Sequence, residues 1–490
     1  MIQCSVNDLV CATSAALLTG SPELACSGVA IDSRLVGTGG VFVAIAGERS
    51  DGNDFAASVL DAGASAVVLT RPADDALIAH AEACAAALLR AEDDDAEEFL
   101  LRLAAWWREG KPWRVVGVTG SVGKTTTKDM LACALGCRWR THATAGNYNN
   151  LIGVPLTLLS APADAEALVV EMGMNHPGEI ARLAQAVRPQ VALVTNVGTS
   201  HIGLLGSREN IARAKGEIAA PLAHAPESTV APEPRLFMTA ENDFTPFIER
   251  EFARPAGVPV TLVGAGEGTS LHASGIALDD EARPSFEVTL DRALGGVPAG
   301  TSLSTTLSLT GAQVVPDYLL ALAVALSMGV PEAEAADALA RLTSTHMRQE
   351  VVRAACGCRV IDDSYNASPD STAAALDALC EMRLEEGGRR VAVLGEIGEL
   401  GAEEARLHEL VGAYAAAKPL DLLVIVGADR ADHMERAARL MGFSEDRVVR
   451  VADVDALTEV VAPVLEPRDL VLVKASRAAH LDRFVKAVMG

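Results

Sequence analysis

Short apolar runs that end on glycine, asparagine or a charge alternate along this chain with longer stretches whose apolar residues recur every three to four positions. VVGVTG from Val115, ALVVEMG from Ala167 and VALVTNVG from Val191 read as strands. The segment after Lys124 and the segment from His176 to Pro189 read as helices. Alternation at this spacing predicts a mostly parallel sheet with helices on both faces, where ligands sit at the carboxyl ends of the strands. A shorter version opens the chain: IDSR at 31–34, VFVAIAGERSDGNDF at 41–55 and a helix-like FAASVLDAGASAVVLT up to Thr70. An Ala-rich, acidic stretch from Asp74 to Trp107 then reads as helical, and Pro112 marks the break before the next strand.

The pattern changes after the Pro-rich residues 221–235, which read as a surface excursion. Residues from about 270 to 310, rich in Thr, Ser and Gly, predict β-hairpins, and helices flank Pro331. Near Thr345 the strand–helix alternation restarts through VIDDSYNASPDS, VAVLGEIGELG, LLVIVGADR and LVLVKASR. The fold class is therefore α/β in three domains. Residues 1–109 form a small α/β domain, 110–345 a central P-loop-type ATPase domain with a mostly parallel sheet, and 346–490 a C-terminal Rossmann-like domain.

The most specific chemistry lies where the strand from Val115 runs into TGSVGKTTT. Gly120, Ser121, Val122 and Gly123 form a turn whose N–H groups can point inward, and Lys124, Thr125 and Thr126 open the next helix. Such a turn holds a polyphosphate, with Lys124 supplying a full positive charge and the Thr125 hydroxyl placed to ligate the Mg²⁺ that accompanies ATP. The spacing is shorter than in the usual P-loop, with Val118 where the longer pattern has its first glycine.

Composition narrows the partners. A formal net charge of -24 disfavours nucleic acid and anionic membranes, so anionic ligands must be met by local cations. The N-terminal stretch lacks a basic leader region and the longest apolar run, near residues 318–330, is too short to span a bilayer, so a cytoplasmic protein without membrane insertion is expected. Nine scattered cysteines read as free thiols rather than as a metal framework.

Further candidates end the strands or follow them. Glu171 closes a buried-looking strand and reads either as a Mg²⁺ ligand facing Thr125 or as a salt-bridged acid. His201 follows another strand, as a second metal ligand, an orienting group or a structural histidine, and Lys215 lies on the next helix. Asn147, Asn149 and Asn150, in GNYNNLIGVP, offer both donors and acceptors for a sugar or peptide amide, or else form an Asn-rich turn.

TGSVGKTTT, TAGNYNNLIGVPLTLL, VVEMGMNHPGEI, ALVTNVGTSHIGLLGSRENIARAKGEI and VIDDSYNASPDS, in this order, resemble the Mur ligases over nearly the whole chain. Within that family they are most similar to the type that joins D-alanyl-D-alanine to UDP-N-acetylmuramoyl-tripeptide. The resemblance implies an ATP-dependent, amide-forming ligase of peptidoglycan precursor synthesis that works through an acyl phosphate, with ATP and Mg²⁺ as cofactors and a monomer as the working unit. Carried over, Lys124 binds the β/γ-phosphates, Thr125 and Glu171 a first Mg²⁺, and His201 a second. Lys215 matches the family's carbamylated lysine. Arg348 reaches the ATP phosphates from the third domain and Asp363 contacts the ribose. Ser33, Arg34 and Asn53 become candidates for the UDP end, and Asn366 joins the substrate-binding set. Two departures stand out: Val314 and Asp317 occupy a segment where the family has asparagine near adenine, and Ala475 stands where it has a glycine. A ligase adding the third peptide residue, a folylpolyglutamate synthase and a nucleotide-dependent switch are the alternatives. The DNPR segment of the first is absent, and the His201 and Lys215 pair argues against the last.

Overall fold

The computed structural model describes residues 1–47, 50–224 and 233–490, so part of the GERSDGNDF segment and residues 225–232 of the Pro-rich excursion lie outside the described residues. Three larger sheets and a two-stranded one, Gln3–Ser5 with Ala25–Ser27, carry the described residues. The central one has nine strands, in the order Ser302–Thr306, Pro284–Leu290, Leu271–Leu278, Val260–Val263, Arg235–Thr239, Val191–Val194, Arg114–Thr119, Ala167–Glu171 and Thr141–Ala143. Its seven strands from Thr141–Ala143 to Leu271–Leu278 run parallel, and the expected hairpins continue it as antiparallel strands. Every residue of Ala167–Glu171 and Val191–Val194 is buried, as parallel strands covered on both faces must be.

The order of these strands makes the crevice. Arg114–Thr119 is flanked by Ala167–Glu171 on one side and by Val191–Val194 on the other, with Glu171 opposite Val118 and Val194 opposite Thr119. Three carboxyl ends therefore stop at one level, and the loops after Thr119, Glu171 and Val194 open side by side where the strand order reverses. One face of the sheet is covered by the helices Lys124–Gly136 and Val314–Ser327, whose Met130, Leu131, Tyr318 and Leu322 are fully buried with Val116 and Val118.

The other face draws on the first domain. Its helix Ala96–Glu109 packs against Gly153–Ser160 and Glu179–Val187, so Phe99, Leu100 and Leu103 share one apolar core with Leu158, Leu183 and Val187. Arg108 locks this seam: it is 1 % exposed and its guanidinium donates to the carbonyls of Val187, Arg188, Lys111 and Trp113. Burial pulls its pKa down to about 10, still far enough above neutrality to keep the charge.

The first domain corrects one expectation. The stretch from Asp74 to Trp107 is not continuous helix; the strand Ala87–Arg90 divides it into Asp75–Ala83 and Ala96–Glu109. Ala87, Leu88 and Leu89 are fully buried between Ala66–Leu69 and Ala16–Thr19 in a five-stranded sheet. A short strand inside alanine-rich sequence has no period of its own to betray it. Two caps do mark the separate helix starts: Asp74 accepts from the Leu77 N–H and Asp95 from the Glu98 N–H.

The third domain is a six-stranded sheet in the order Glu350–Arg353, Arg359–Asp363, Leu470–Lys474, Arg390–Gly395, Leu422–Val426 and Val448–Val451, parallel except for the first strand. No helix among the described residues is long and apolar enough to cross a membrane. Replacing Arg108 with Met leaves its carbonyl partners without a donor, and chemical denaturation is expected to show a loss on the order of 3 kcal/mol. Unchanged stability would contradict the locking role.

Candidate functional site

A cleft of about 900 Å³ opens between the central and third domains, lined by the glycine turn, the three strand-end loops, Arg348, and the segment from Asp363 to Ser371. Its floor is the turn. Gly120 has φ +151, and a Cβ there would sit 1.8 Å from the Thr195 hydroxyl. Gly123 has φ +85, and a Cβ there would sit 2.5 Å from Asp317 Oδ1. Both positions thus need glycine for backbone angle and for space. Gly123 precedes the helix Lys124–Gly136 without a side-chain cap, so the N–H groups of the first turn face the cleft as an anion cradle. Lys124 is folded back onto its own loop, its Nζ donating to the carbonyls of Gly120 and Ser121 at 2.8 and 3.3 Å. Burial lowers its pKa, which Glu171 partly offsets and Arg348 reinforces.

Thr125 and Glu171 meet. The threonine hydroxyl donates to Glu171 Oε2 at 2.9 Å, and Asn149 Nδ2 donates to Oε1 at 2.8 Å. Glu171 is 2 % exposed, so its carboxylate is held by two neutral donors rather than by a base. This pair of oxygen ligands beside a phosphate cradle has the hard-donor character that suits Mg²⁺. His201 lies on the same cleft, with Nδ1 2.7 Å from Glu399 Oε2 of the third domain. Lys215 is buried outside the set of lining residues, and its pKa is driven well below the usual lysine range by burial and by the charge of Lys124.

From the third domain, the Arg348 guanidinium stacks on Tyr365, 4.3 Å from the ring centre, and faces the same cavity as Lys124. Asp363 and Lys474 form a buried ion pair at 2.6 Å, and Lys474 also donates to the Asn366 carbonyl. Ala475 is fully buried against Gly395, where a Cβ would lie 2.5 Å from the Ala475 methyl. The glycine that the family resemblance placed at Ala475 is thus answered by one on the neighbouring strand.

The asparagines divide by role. Asn147 lines the cleft, Asn149 is bound to Glu171, and Asn150 Oδ1 accepts from the N–H groups of Ile152 and Gly153 at the start of a helix. Ser33, Arg34 and Asn53 lie in the first domain and do not line this cleft. Arg34 is exposed on Asp32, whereas Asn53 is buried, its amide bonded to Asp51 and Thr70. Four contributors were not singled out from sequence. Asn196 binds the turn at the N–H groups of Ser121 (through its carbonyl) and Val122 (through Oδ1), and Asp370, Glu399 and Lys474 enter from the third domain. Outside the cleft, Asp61, His80 and Cys84 cluster at the surface around an Asp61–His80 contact of 2.9 Å.

Asp317 sits against Gly123, hydrogen-bonds with Thr127, and has its carboxyl pushed up to about 8 by burial. An unfolded aspartate titrates near 3.9. Between those values the folded chain holds a proton that the unfolded chain has released. The group's contribution to stability therefore falls as pH rises through this window and is gone above about 8. Asp317→Asn removes the titration. The thermal midpoint of the native chain is expected to decline relative to that variant between about pH 5 and about pH 8.5, and parallel curves would contradict the assignment.

Comparison with known proteins agrees with this arrangement along the whole chain. Residues 26–108 match the Mur ligase family catalytic domain, 118–325 the Mur ligase middle domain, and 347–477 the Mur ligase glutamate ligase domain. The UDP-N-acetylmuramoyl-tripeptide–D-alanyl-D-alanine ligase of Mycobacterium tuberculosis is 34% identical, covering 94% of this chain and 92% of that one. Its namesake in Escherichia coli is 33% identical, with 95% and 94% covered. Among solved structures, MurF from Acinetobacter baumannii superposes with a TM-score of 0.84 at 29% identity over 100% of this chain and 99% of that one. MurF from Thermotoga maritima, in complex with ADP, does so with 0.75 at 26% identity over 94% and 97%. With all three of its domains matched, and a phosphate cradle, a buried acid and a third-domain arginine facing one cleft, the chain belongs to the Mur ligase family.

Proposed function

We propose that this protein joins D-alanyl-D-alanine to UDP-N-acetylmuramoyl-tripeptide at the expense of ATP, as a cytoplasmic monomer divided at residues 1–109, 110–345 and 346–490. The observation that carries the reading is the contact of Thr125 with the buried Glu171 beside an uncapped helix start, across from Arg348. The relatives' names support the choice of substrates.

The reaction asks two anions to meet, and the cleft is built for that. Lys124 exchanges its loop carbonyls for the β- and γ-phosphates, and Arg348, braced on Tyr365, approaches from the opposite wall. The peptide carboxylate attacks the γ-phosphorus; an O–P bond forms, the bond to ADP breaks, and an acyl phosphate results. The amine of D-alanyl-D-alanine then adds to the acyl carbon, and the tetrahedral intermediate expels phosphate while the amine gives up a proton. Thr125 and Glu171 would hold one Mg²⁺ and His201, with a carbamate on Lys215, a second; the metal supplies charge neutralisation at the phosphates. A lysine driven toward its neutral form is the nucleophile that CO₂ requires, and the carbamate converts a cation into an oxygen anion. Holding carboxylate and phosphate together can be worth effective molarities of about 10⁵ M or more.

Among the substrate candidates, Asn147 is placed to meet the substrate directly, while Asn149 and Asn150 shape the loop that presents it. Ser33 and Arg34 are proposed to meet the UDP end, with Asn53 holding the adjoining loop. Asn366 would face the substrate across from Asn147, and Asp363, paired with Lys474, would approach the ribose.

Phosphate release from ATP tests the reading: it should require both UDP-N-acetylmuramoyl-tripeptide and D-alanyl-D-alanine, and preference for glutamate or a diamino acid as the amine would overturn it. Lys215→Ala should abolish ligation, with formate or acetate restoring part of it, whereas full activity in the plain variant would refute the carbamate. Glu171→Gln should raise the half-saturating Mg²⁺ concentration by about 10-fold or more, and an unchanged titration would remove Glu171 from the ligands.

A further inference from the structure

The loop that follows the strand Val191–Val194 touches two domains in alternation. Asn196, Gly198 and Ser200 turn to the phosphate loop: Asn196 accepts from the N–H groups of Ser121 and Val122, the Gly198 N–H donates to Ser121 Oγ at 2.9 Å, and the Ser200 hydroxyl donates to the Ser121 carbonyl. Thr199, His201 and Gly203 turn to the third domain. The Thr199 N–H and hydroxyl both donate to Asp370 Oδ2 at 2.7 Å, the Gly203 N–H donates to the Glu399 carbonyl at 2.9 Å, and His201 Nδ1 lies 2.7 Å from Glu399 Oε2. This strap bonds the third domain on one side and the phosphate cradle on the other.

The contact is built with little slack. Gly203 and Gly401 cross backbone to backbone; a Cβ on Gly203 would lie 2.4 Å from the Gly401 nitrogen, and one on Gly401 2.6 Å from the Gly203 Cα. His201 and Glu399 both adopt left-handed backbone, φ +65 and +61, which costs non-glycine residues energy. The Glu399 loop is braced from behind by His408, which is fully buried, accepts from the Ile397 N–H at Nε2 and bonds the Glu404 carbonyl through Nδ1. The Glu399 carboxylate packs against the His201 ring at Nδ1, which leaves the Nε2 side of the ring free of it.

We propose that Glu399 is a positioning residue for the ligation: reaching across from the third domain, it fixes the orientation of the His201 ring over the cleft. This rests on the ligase reading for the role of His201, but not for the contact. The carboxylate acts through the ring and touches no substrate.

Two measurements separate the possibilities. In protein labelled with ¹⁵N at histidine and free of nucleotide, the His201 ring resonances, identified by their loss in His201→Gln, should shift and broaden in Glu399→Ala as the ring loses its fixed orientation. In steady-state ligation, Glu399→Ala should lower kcat about 10- to 100-fold while the ATP KM shifts little. Glu399→Gln should recover part of the loss, and Glu399→Ala should add nothing to His201→Ala. Unchanged His201 resonances in Glu399→Ala, or additive effects in the double variant, would overturn the proposal. A His201 ring that responds to Glu399→Ala in a protein whose wild type shows no ligation would instead count against the ligase reading alone.

Discussion

A buried carboxylate that forms no salt bridge among the described residues is the constraint on which this cleft depends. Glu171 ends a fully buried strand, its two oxygens accept from Thr125 and Asn149, Lys124 is near enough for the two charges to interact, and the His201–Glu399 contact and the Lys474–Asp363 ion pair form elsewhere. A buried charge costs several kcal/mol unless it is compensated. Two neutral hydrogen bonds and the nearby charge of Lys124 hold the carboxylate facing the glycine turn. The parallel register that sets Glu171 beside Val118 brings the acid to the turn in the first place.

Everything else in the fold adjusts what reaches that point. The first domain is fastened to the central one by a shared apolar core and the four carbonyls bound by Arg108. The third domain meets it at the cleft through Gln313 with Gln349 and the strap at residues 196–203, and its Ile397 and Leu400 share the same buried apolar cluster as Ile202 and Leu205. Lys215 and Lys124 follow the same logic of buried charge. Each has its ammonium form disfavoured by burial, and Lys124 meanwhile donates to the carbonyls of Gly120 and Ser121.

Much of this was legible in the chain because strand ends are punctuated. TGSVGKTTT, VVEMG and TNVGTSH each pair an apolar run with an immediate polar or glycine break, and the structure sets Lys124, Thr125, Glu171 and His201 on one cleft. What stayed hidden depends on tertiary contact. Nothing local distinguishes Glu399 or Asp370 from a solvated acid; their roles exist only once the third domain docks on the strap. Asparagine is ambiguous for a related reason, since the same amide can bind a ligand, cap a helix as Asn150 does, or hold a loop as Asn53 does. The strand Ala87–Arg90 escaped because alanine-rich sequence carries no clear period, and the Ala475 departure was resolved only by the neighbour, Gly395.

The central claim is that a peptide carboxylate and the γ-phosphate of ATP react in this cleft. It is tested most directly by supplying UDP-N-acetylmuramoyl-tripeptide with ¹⁸O in the reacting carboxylate, together with ATP, Mg²⁺ and D-alanyl-D-alanine, and weighing the phosphate released. An acyl phosphate formed beside Thr125 and Glu171 transfers one labelled oxygen to inorganic phosphate in every turnover. Phosphate that carries no label, while ATP is consumed and the amide is made, would contradict the account.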